Sequence, residues 1–347
     1  MPRHPLVSKY ASLAAVRDRL PRRPAALGFE LADRRVLAVL AVALLLWPFF
    51  GSNYWINVAV VVLSYVVLAL GLNVVIGFAG LLDLGYAAFY AVGAYLSAIL
   101  ITTYGWNLWI CLPVTASAAA VFGVLIGYPT LRLRGDYLAI VTIGFGEITR
   151  ITINNLTGVT GGPNGVVGIP RPELLGVTFA GPIHFYYLLL ALAVVAVFLT
   201  NRLAHSRVGR AWTYLREDHV AAEVMGVNAQ RFKLLAFGFG ASWAGLAGAI
   251  FSSRIGIAAP ESFTFFESIL IVVIIVIGGM GSIPGVIAGA VAMIIVPEIL
   301  RPLLTYRFLI FGIVLILVMR FRPEGFIPAR RLRVRLPAGG VGPEADA

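Results

Sequence analysis

Long apolar runs separated by short polar breaks dominate the chain. Ten of these runs approach the length of a membrane crossing, and they cover residues 36–51, 55–77, 84–103, 107–128, 136–156, 183–200, 233–252, 264–280, 284–300 and 307–320. A helix needs about 20 mainly apolar residues to cross a hydrocarbon core roughly 30 Å thick. The pattern therefore predicts an all-α, polytopic integral membrane protein of about ten transmembrane helices.

Composition and the placement of charge extend this interpretation. The 347 residues are 60% hydrophobic and only 12% charged, which indicates that the protein folds in contact with membrane lipid. The net charge of +11 is concentrated in the 1–35 arm, the 201–233 connection and the tail beyond residue 320. This bias follows the positive-inside rule, so it explains the basic excess without nucleic acid and predicts that both termini are cytoplasmic.

These features predict three regions in a multi-pass membrane protein. Residues 1–35 form a basic cytoplasmic arm, residues 36–320 form the transmembrane domain, and residues 321–347 form a cytoplasmic tail. Two connections within the domain are longer than simple turns. The outer one, 157–182, is rich in Gly, Pro and Asn, which favours a compact cap built from tight turns rather than a helix.

Several kinds of chemistry are not expected of this chain. The single cysteine, Cys111, has no partner for a disulfide, and the four histidines are too scattered for a metal site. A phosphate-binding loop requires a lysine after its glycines, but the only lysines are Lys9 and Lys233. We therefore expect no enzyme, and no ATP hydrolysis by this chain.

The inner connection, 201–233, has the pattern of a short amphipathic helix. Ser206 is placed to cap its start, and Gly226 with Asn228 is placed to end it. One less polar stripe is formed at helical spacing by Trp212, Leu215, His219, Ala222 and Met225 or Gly226. Such a helix either lies among lipid headgroups or docks on another protein. Docking is favoured because anionic lipid would repel the acidic residues Glu217, Asp218 and Glu223.

Three blocks of sequence resemble a known family. They are TLRLRGDYLAIVTIGFGEITRITINNLTGVTGGPNG at 130–165, SRVGRAWTYLREDHVAAEVMGVN at 206–228 and PESFTFFESILIVVIIVIGGMGSIPGVIAGA at 260–290. Together they are similar to the LivM-like permeases of branched-chain amino acid ABC importers. In such importers a cytoplasmic coupling helix with an E-A-A-x-x-x-G core binds the ATPase. Ala221, Ala222 and Gly226 match that core, whereas Val220 stands where glutamate is expected.

The resemblance implies a membrane-spanning permease subunit that translocates leucine, isoleucine and valine across the bacterial inner membrane. It also implies a LivH-like permease partner, a periplasmic substrate-binding protein, and two cytoplasmic ATPase subunits that bind ATP and Mg, with no cofactor on this chain. The implied coupling-loop residues are Arg210, Trp212, Leu215, Glu217, Asp218, Ala221, Ala222, Glu223 and Gly226. Urea or short amides as substrates, or an ion-coupled secondary transporter, are the alternative interpretations.

Charged residues within the apolar runs are candidates for a translocation path, because such groups are costly in lipid. Glu147 falls near mid-bilayer with Arg150 three residues later, either as a buried intrahelical ion pair or beside the path. Asn154 follows near the outer mouth, where a helix-end role is favoured. Asp83 lies among glycines, either in a solvated loop, which its position favours, or in a broken or re-entrant element.

Overall fold

The computed structural model describes residues 42–49, 51–130, 135–174, 176–179, 181–301, 312–313, 316, 320 and 325–328. A helical segment at 42–49 precedes the labelled elements. The helices are α1 Asn53–Asn73, α2 Ala87–Tyr104, α3 Leu108–Thr130, α4 Asp136–Asn155, α5 Thr157–Thr160, α6 Pro182–Ala204, α7 Arg207–Glu217, α8 His219–Val224, α9 Ala229–Ile255, α10 Phe265–Gly278 and α11 Ile283–Ile299. A π-helix, Val74–Phe78, directly continues α1.

The fold is a bundle of helices, as the apolar pattern predicts. Among the described residues, five helices are long and apolar enough to cross a membrane, namely α1 with its π-helical extension, α2, α3, α6 and α9. Helix α4 is long enough but more polar, and α10 and α11 are shorter apolar helices. The basic arm, part of the first predicted crossing, most of the last one and most of the tail lie outside the described residues.

Helix α9 is the centre of the packing, because it contacts α3, α2 and α1 along its length. Small residues make this possible. A Cβ at Gly93 of α2 would overlap the backbone of Gly245 on α9, so the two helices meet backbone to backbone. Close approach of this kind is typical of helix packing in membranes, where van der Waals contact replaces the hydrophobic effect as the driving force.

The two ends of the bundle differ, and we name them by their connections. The cap end carries residues 156–181 and 256–264, and the loop end carries residues 205–228. At the cap end, β1 Val166–Val167 pairs antiparallel with β4 Ile257–Ala258, and β2 Glu173–Leu174 pairs with β3 Val177–Thr178. The predicted tight turns are therefore joined by short strand pairs and by one helical turn, α5, which the sequence did not indicate.

Two helices begin inside the bundle rather than at its surface. The Tyr86 hydroxyl, just before α2, donates to the carbonyl of Gly240 at 2.8 Å. Gly240 lies eleven residues into α9, which corresponds to about 16 Å from the loop end of that helix. The amide of Ala87 donates to the Ser268 hydroxyl at 2.9 Å, so α10 begins at the same level. The chain reaches this level through the non-helical residues 79–86.

Candidate coupling loop and membrane path

The connection between α6 and α9, which we call the coupling loop (205–228), folds back onto the bundle. Trp212 is only 1% exposed, and its ring Nε1 donates to the carbonyl of Phe232 at 2.6 Å. Leu215 and Ala222 are also buried and form a small apolar cluster with Ala229. The loop is therefore attached to the first turn of α9 by both a hydrogen bond and apolar packing.

The predicted helix start is confirmed, but the single helix is wrong. The Ser206 hydroxyl accepts from the amides of Val208 and Gly209 at the start of α7, as a capping residue should. At Asp218 the backbone becomes extended, and its carboxylate accepts from the amides of Val220 and Ala221. Asp218 thus ends α7 and caps α8, because an aspartate side chain competes for backbone donors that a continuous helix would use.

The end of the coupling loop also differs in part from the sequence interpretation. Gly226 adopts a left-handed conformation with φ of 84°, as expected for a residue that follows a helix. Asn228 does not share in ending α8. Its side chain instead accepts from the Arg231 amide and caps α9.

Three residues of the predicted less polar stripe are buried against this chain's own bundle. Trp212, Leu215 and Ala222 point into the bundle, whereas Met225 is 83% exposed. The exposed large apolar residues of the loop are Tyr214, Val220, Val224 and Met225. We call these four residues the outer face of the coupling loop. Amphipathic spacing identifies a buried side, and here the loop's own bundle is what covers that side.

Apart from Arg216, which is partly buried, the charged residues of the coupling loop are exposed, and several of them have local partners. Arg210 donates to the carbonyl of His205 at 3.2 Å, and Glu223 Oε1 lies 3.5 Å from His219 Nδ1. Glu217 and the matched motif residue Ala221 are exposed as well. The acidic residues thus border the outer face, where they are available to a basic partner.

On α4, Glu147 and Arg150 form an ion pair with 2.8 Å between Arg150 Nη2 and Glu147 Oε2. The intrahelical pair agrees with the sequence interpretation. It is not fully buried against neighbouring helices, however, since the two side chains are 35% and 34% exposed. Asn154 lies on the same face, because positions 147, 150 and 154 are one and two helical turns apart.

A small crevice lies beside this ion pair, where α2 and α10 begin. Glu147 and Gly146 form one wall, Leu84 and Ala87 a second, and the start of α10 from Thr264 to Ser268 a third. The space that it encloses is only about 10 Å³, far below the roughly 300–1,000 Å³ of small-molecule pockets. The crevice is therefore a narrow notch between discontinuous helices, with a mainly apolar lining and three polar residues, Glu147, Thr264 and Ser268.

The solvated-loop interpretation of Asp83 is wrong, because the residue is 1% exposed. Its Oδ1 accepts from the Gly85 amide at 2.9 Å, and Oδ2 has no hydrogen-bond partner among the described residues. The neighbouring Leu84 amide donates to the Thr142 hydroxyl of α4 at 3.0 Å. The glycines around Asp83 thus mark a break between helices that is packed inside the bundle.

Two partly buried contacts were not anticipated from the sequence. The Tyr65 hydroxyl donates to Glu267 at 2.7 Å, and the Arg216 guanidinium donates to the Gly77 carbonyl. In each case the partners are more than a hundred positions apart in the chain. Spacing along one helix can identify a pair such as Glu147 and Arg150, but it cannot identify partners on different helices.

Comparison with known proteins identifies the family. Residues 54–319 match the family model described as "Branched-chain amino acid transport system / permease component". The chain is 42% identical to the high-affinity branched-chain amino acid transport system permease protein LivM of Escherichia coli (strain K12), over 92% of this chain and 80% of that protein.

More distant relatives also match. The corresponding permease protein LivH of the same Escherichia coli strain is 26% identical over 76% of this chain and 91% of that protein. A probable LivM protein of Methanocaldococcus jannaschii is 23% identical over 77% and 91%. No solved structure matches the chain. The match over most of its length and the identity to a LivM protein show that the chain belongs to the branched-chain amino acid transport permease family.

Proposed function

We propose that this chain is the LivM-type subunit of an ATP-driven importer that carries leucine, isoleucine and valine across the bacterial inner membrane. The observation that carries the proposal is the coupling loop, which holds an exposed apolar face at one end of a bundle of apolar helices. Exposed apolar patches of this kind are typical of protein interaction sites. We assign an ATPase subunit to this face and the cytoplasm to the loop end of the bundle.

The family motif and the structure support this assignment in different ways. Val220 and Val224 lie on the outer face, around the matched positions Ala221 and Gly226, which are both exposed. The buried Trp212 and Leu215 hold the loop on α9. In this proposal, movement of the ATPase subunits pulls on the outer face, and the buried side passes that movement to the membrane helices.

The polar face of α4 supports a translocation path next to a second permease subunit. Glu147 and Arg150 are each about one-third exposed, and a charged pair facing lipid would be costly. Contact with a partner subunit or with water removes that cost. We therefore place the path along Glu147, Arg150 and Asn154, with the crevice beside it. A LivH-type protein is the proposed partner, as the names of the relatives suggest.

The proposed mechanism is alternating access. Closure of the ATPase subunits around ATP would move the coupling loops of both permeases and rock the two bundles against each other. The path would then open to each side of the membrane in turn. The narrow crevice would widen in one of these states, so that the side chain of a branched amino acid can pass the ion pair.

The experiment that tests this proposal is uptake of labelled leucine into proteoliposomes. They hold this chain together with its LivH-type partner and the ATPase subunits, with ATP inside and the substrate-binding protein outside. Each component is left out in turn, and labelled urea and a short amide replace leucine in parallel. A protonophore and a sodium ionophore test dependence on ion gradients.

We expect leucine uptake only when every component is present, and no effect of the ionophores. Uptake of urea or amide without leucine uptake would contradict the proposed substrate class. Uptake by this chain alone, abolished by an ionophore, would contradict the importer and would favour an ion-coupled transporter.

A further inference from the structure

One short segment of the chain touches both the coupling loop and the crevice. Residues 77–87, which we call the bridging segment, leave the π-helix at the loop end and enter α2 inside the bundle. At the first end, the Gly77 carbonyl accepts from the Arg216 guanidinium of α7. At the second end, Leu84 and Ala87 line the crevice beside Glu147.

Arg216 acts on the end of a helix, where it is electrostatically favoured. The last carbonyls of a helix lack intrahelical donors and carry partial negative charge, so a cation placed there is stabilising. Gly77 is in the last turn of the π-helix, and the chain turns away after Phe78. Arg216 therefore caps this end of α1 from a different element.

Steric contact adds to this hydrogen bond. Gly80 has φ of 71°, and a side chain there would run into the Cβ and Cγ atoms of Arg216. The Arg216 side chain thus lies directly on the bridging segment. A displacement of α7 would push or pull this segment without an intervening residue.

The same region is tied to the turn between α10 and α11. Asn73 Oδ1 accepts from the Gly281 amide at 2.9 Å, and Gly77 is packed so closely that a Cβ would overlap both groups. A shift of the π-helix would therefore also move the loop end of α10. The other end of α10 is the third wall of the crevice.

The far end of the bridging segment is firmly held. The amides of Leu84 and Ala87 donate to Thr142 of α4 and Ser268 of α10, and the Tyr86 hydroxyl donates to Gly240 of α9. These bonds reach α4, α10 and α9, and the first two of these helices line the crevice. A movement that enters at Gly77 and Gly80 is consequently delivered to the groups that shape the crevice.

We infer that Arg216 is a positioning residue that transmits movement of the coupling loop to the crevice by holding Gly77 and Gly80. This inference rests on the proposed function, since it assigns ATP-driven movement to the coupling loop. Its distinctive consequence is uncoupling. Without Arg216 the ATPase subunits would still bind to this chain and hydrolyse ATP. Their movement, however, would be transmitted poorly to the translocation path.

The test compares Arg216→Gln and Arg216→Lys with the control Arg207→Gln in the complete importer. Arg207 is an exposed residue at the opposite end of α7. Three quantities are measured: recovery of the ATPase subunits with this chain, ATP hydrolysis stimulated by the binding protein, and leucine uptake. Hydrogen–deuterium exchange of amides 81–87 is also compared with and without a non-hydrolysable ATP analogue.

We expect Arg216→Gln to keep normal recovery of the ATPase subunits and normal ATP hydrolysis, while leucine uptake per ATP hydrolysed falls about tenfold. A factor of this size is typical of energetic coupling between two sites in a protein. The ATP-dependent change in exchange at 81–87 should disappear with it. Arg216→Lys should restore part of the uptake, because an ammonium can still donate to the Gly77 carbonyl. Arg207→Gln should behave as wild type.

Several results would overturn the inference. Loss of the ATPase subunits from Arg216→Gln would show a docking role instead. A parallel fall of hydrolysis and uptake, or unchanged uptake per ATP, would exclude transmission through this residue. Failure of the proposed function can be distinguished from failure of this inference. It would appear as absent leucine uptake in the complete wild-type importer.

Discussion

At the scale of single residues, several polar groups of the bundle have a specific partner, although buried atoms such as Asp83 Oδ2 have none among the described residues. Glu267 accepts from Tyr65, and Glu298 pairs with Arg301 at 3.2 Å, which in turn donates to the Tyr54 hydroxyl. Burying a charged or polar group without a partner is costly, so these pairs limit the cost of polar groups in an apolar bundle. Removing one member should therefore destabilise the protein.

Replacing Tyr65 with phenylalanine should lower the free energy of unfolding. The change removes the hydroxyl and leaves the Glu267 carboxyl without that donor, which costs about 1–3 kcal/mol for a buried group. Thermal unfolding in detergent measures the effect as a lower Tm. The matched control is Tyr104→Phe, since Tyr104 is well exposed at the end of α2. Equal Tm values for both variants would show that the Tyr65 bond contributes nothing.

Replacing Glu147 with glutamine should reduce leucine uptake several-fold in the complete importer. Glutamine keeps a hydrogen-bond acceptor for Arg150 but removes the charge, which alters the electrostatics of the proposed path. The matched control is Glu298→Gln, which disrupts a similar i, i+3 pair away from the crevice. Unchanged uptake in the Glu147 variant, with normal expression, would remove this residue from the mechanism.

At the scale of elements, the sequence predicts where helices lie better than how they are interrupted. The predicted run 55–77 corresponds to Asn53–Phe78, and 183–200 corresponds to Pro182–Ala204. The length of each apolar run is sufficient to predict the position of these two helices. The break at Asp218 and the π-helix at Val74–Phe78 depend on local competition for backbone hydrogen bonds, which a hydrophobic pattern does not record.

The coupling loop illustrates a second limit at this scale. Its sequence pattern identifies an apolar side but not which surface covers that side. Trp212 and Leu215 pack on the bundle, so the side left for a partner is the outer face. Only the position of α9 relative to α7 distinguishes the two possibilities.

Replacing Val224 with aspartate should weaken binding of the ATPase subunits without destabilising this chain. Val224 is 81% exposed, so the substitution buries no charge in the isolated chain but would bury one in the proposed interface. Co-purification of the ATPase subunits and Tm are the two measurements. The control is Val167→Asp, at an exposed valine of the cap end. Normal co-purification with the Val224 variant would contradict docking on the outer face.

At the scale of the whole molecule, the family and the helical bundle follow from the sequence, whereas the candidate path does not. The three blocks that resemble the family lie in α4, the coupling loop and the α10–α11 region, and these elements surround the crevice or contact the bridging segment. The crevice itself arises because Leu84, Glu147 and Phe265, from three distant parts of the chain, are brought together by packing.

Orientation in the membrane gives a prediction for the intact molecule. Cysteines introduced at Val167 and Val224 lie at opposite ends of the bundle and are both well exposed. In intact cells with a permeable outer membrane, an impermeant maleimide should label Val167→Cys. It should label Val224→Cys only after the inner membrane is disrupted. Native Cys111 is fully buried and should react little in either case. The reverse labelling pattern would contradict the proposed topology and would place the loop end outside the cytoplasm.

The attachment of the coupling loop to its own bundle has a consequence for assembly. Ser206 and Asp218 cap its two helices, and the Trp212 ring donates to the Phe232 carbonyl, so contacts within this chain alone order the loop. A binding surface that is already ordered spares the complex the conformational entropy of ordering it. In the proposed complex, we therefore expect a small contact to suffice for association and the assembly rate to depend on encounter rather than on folding of the loop.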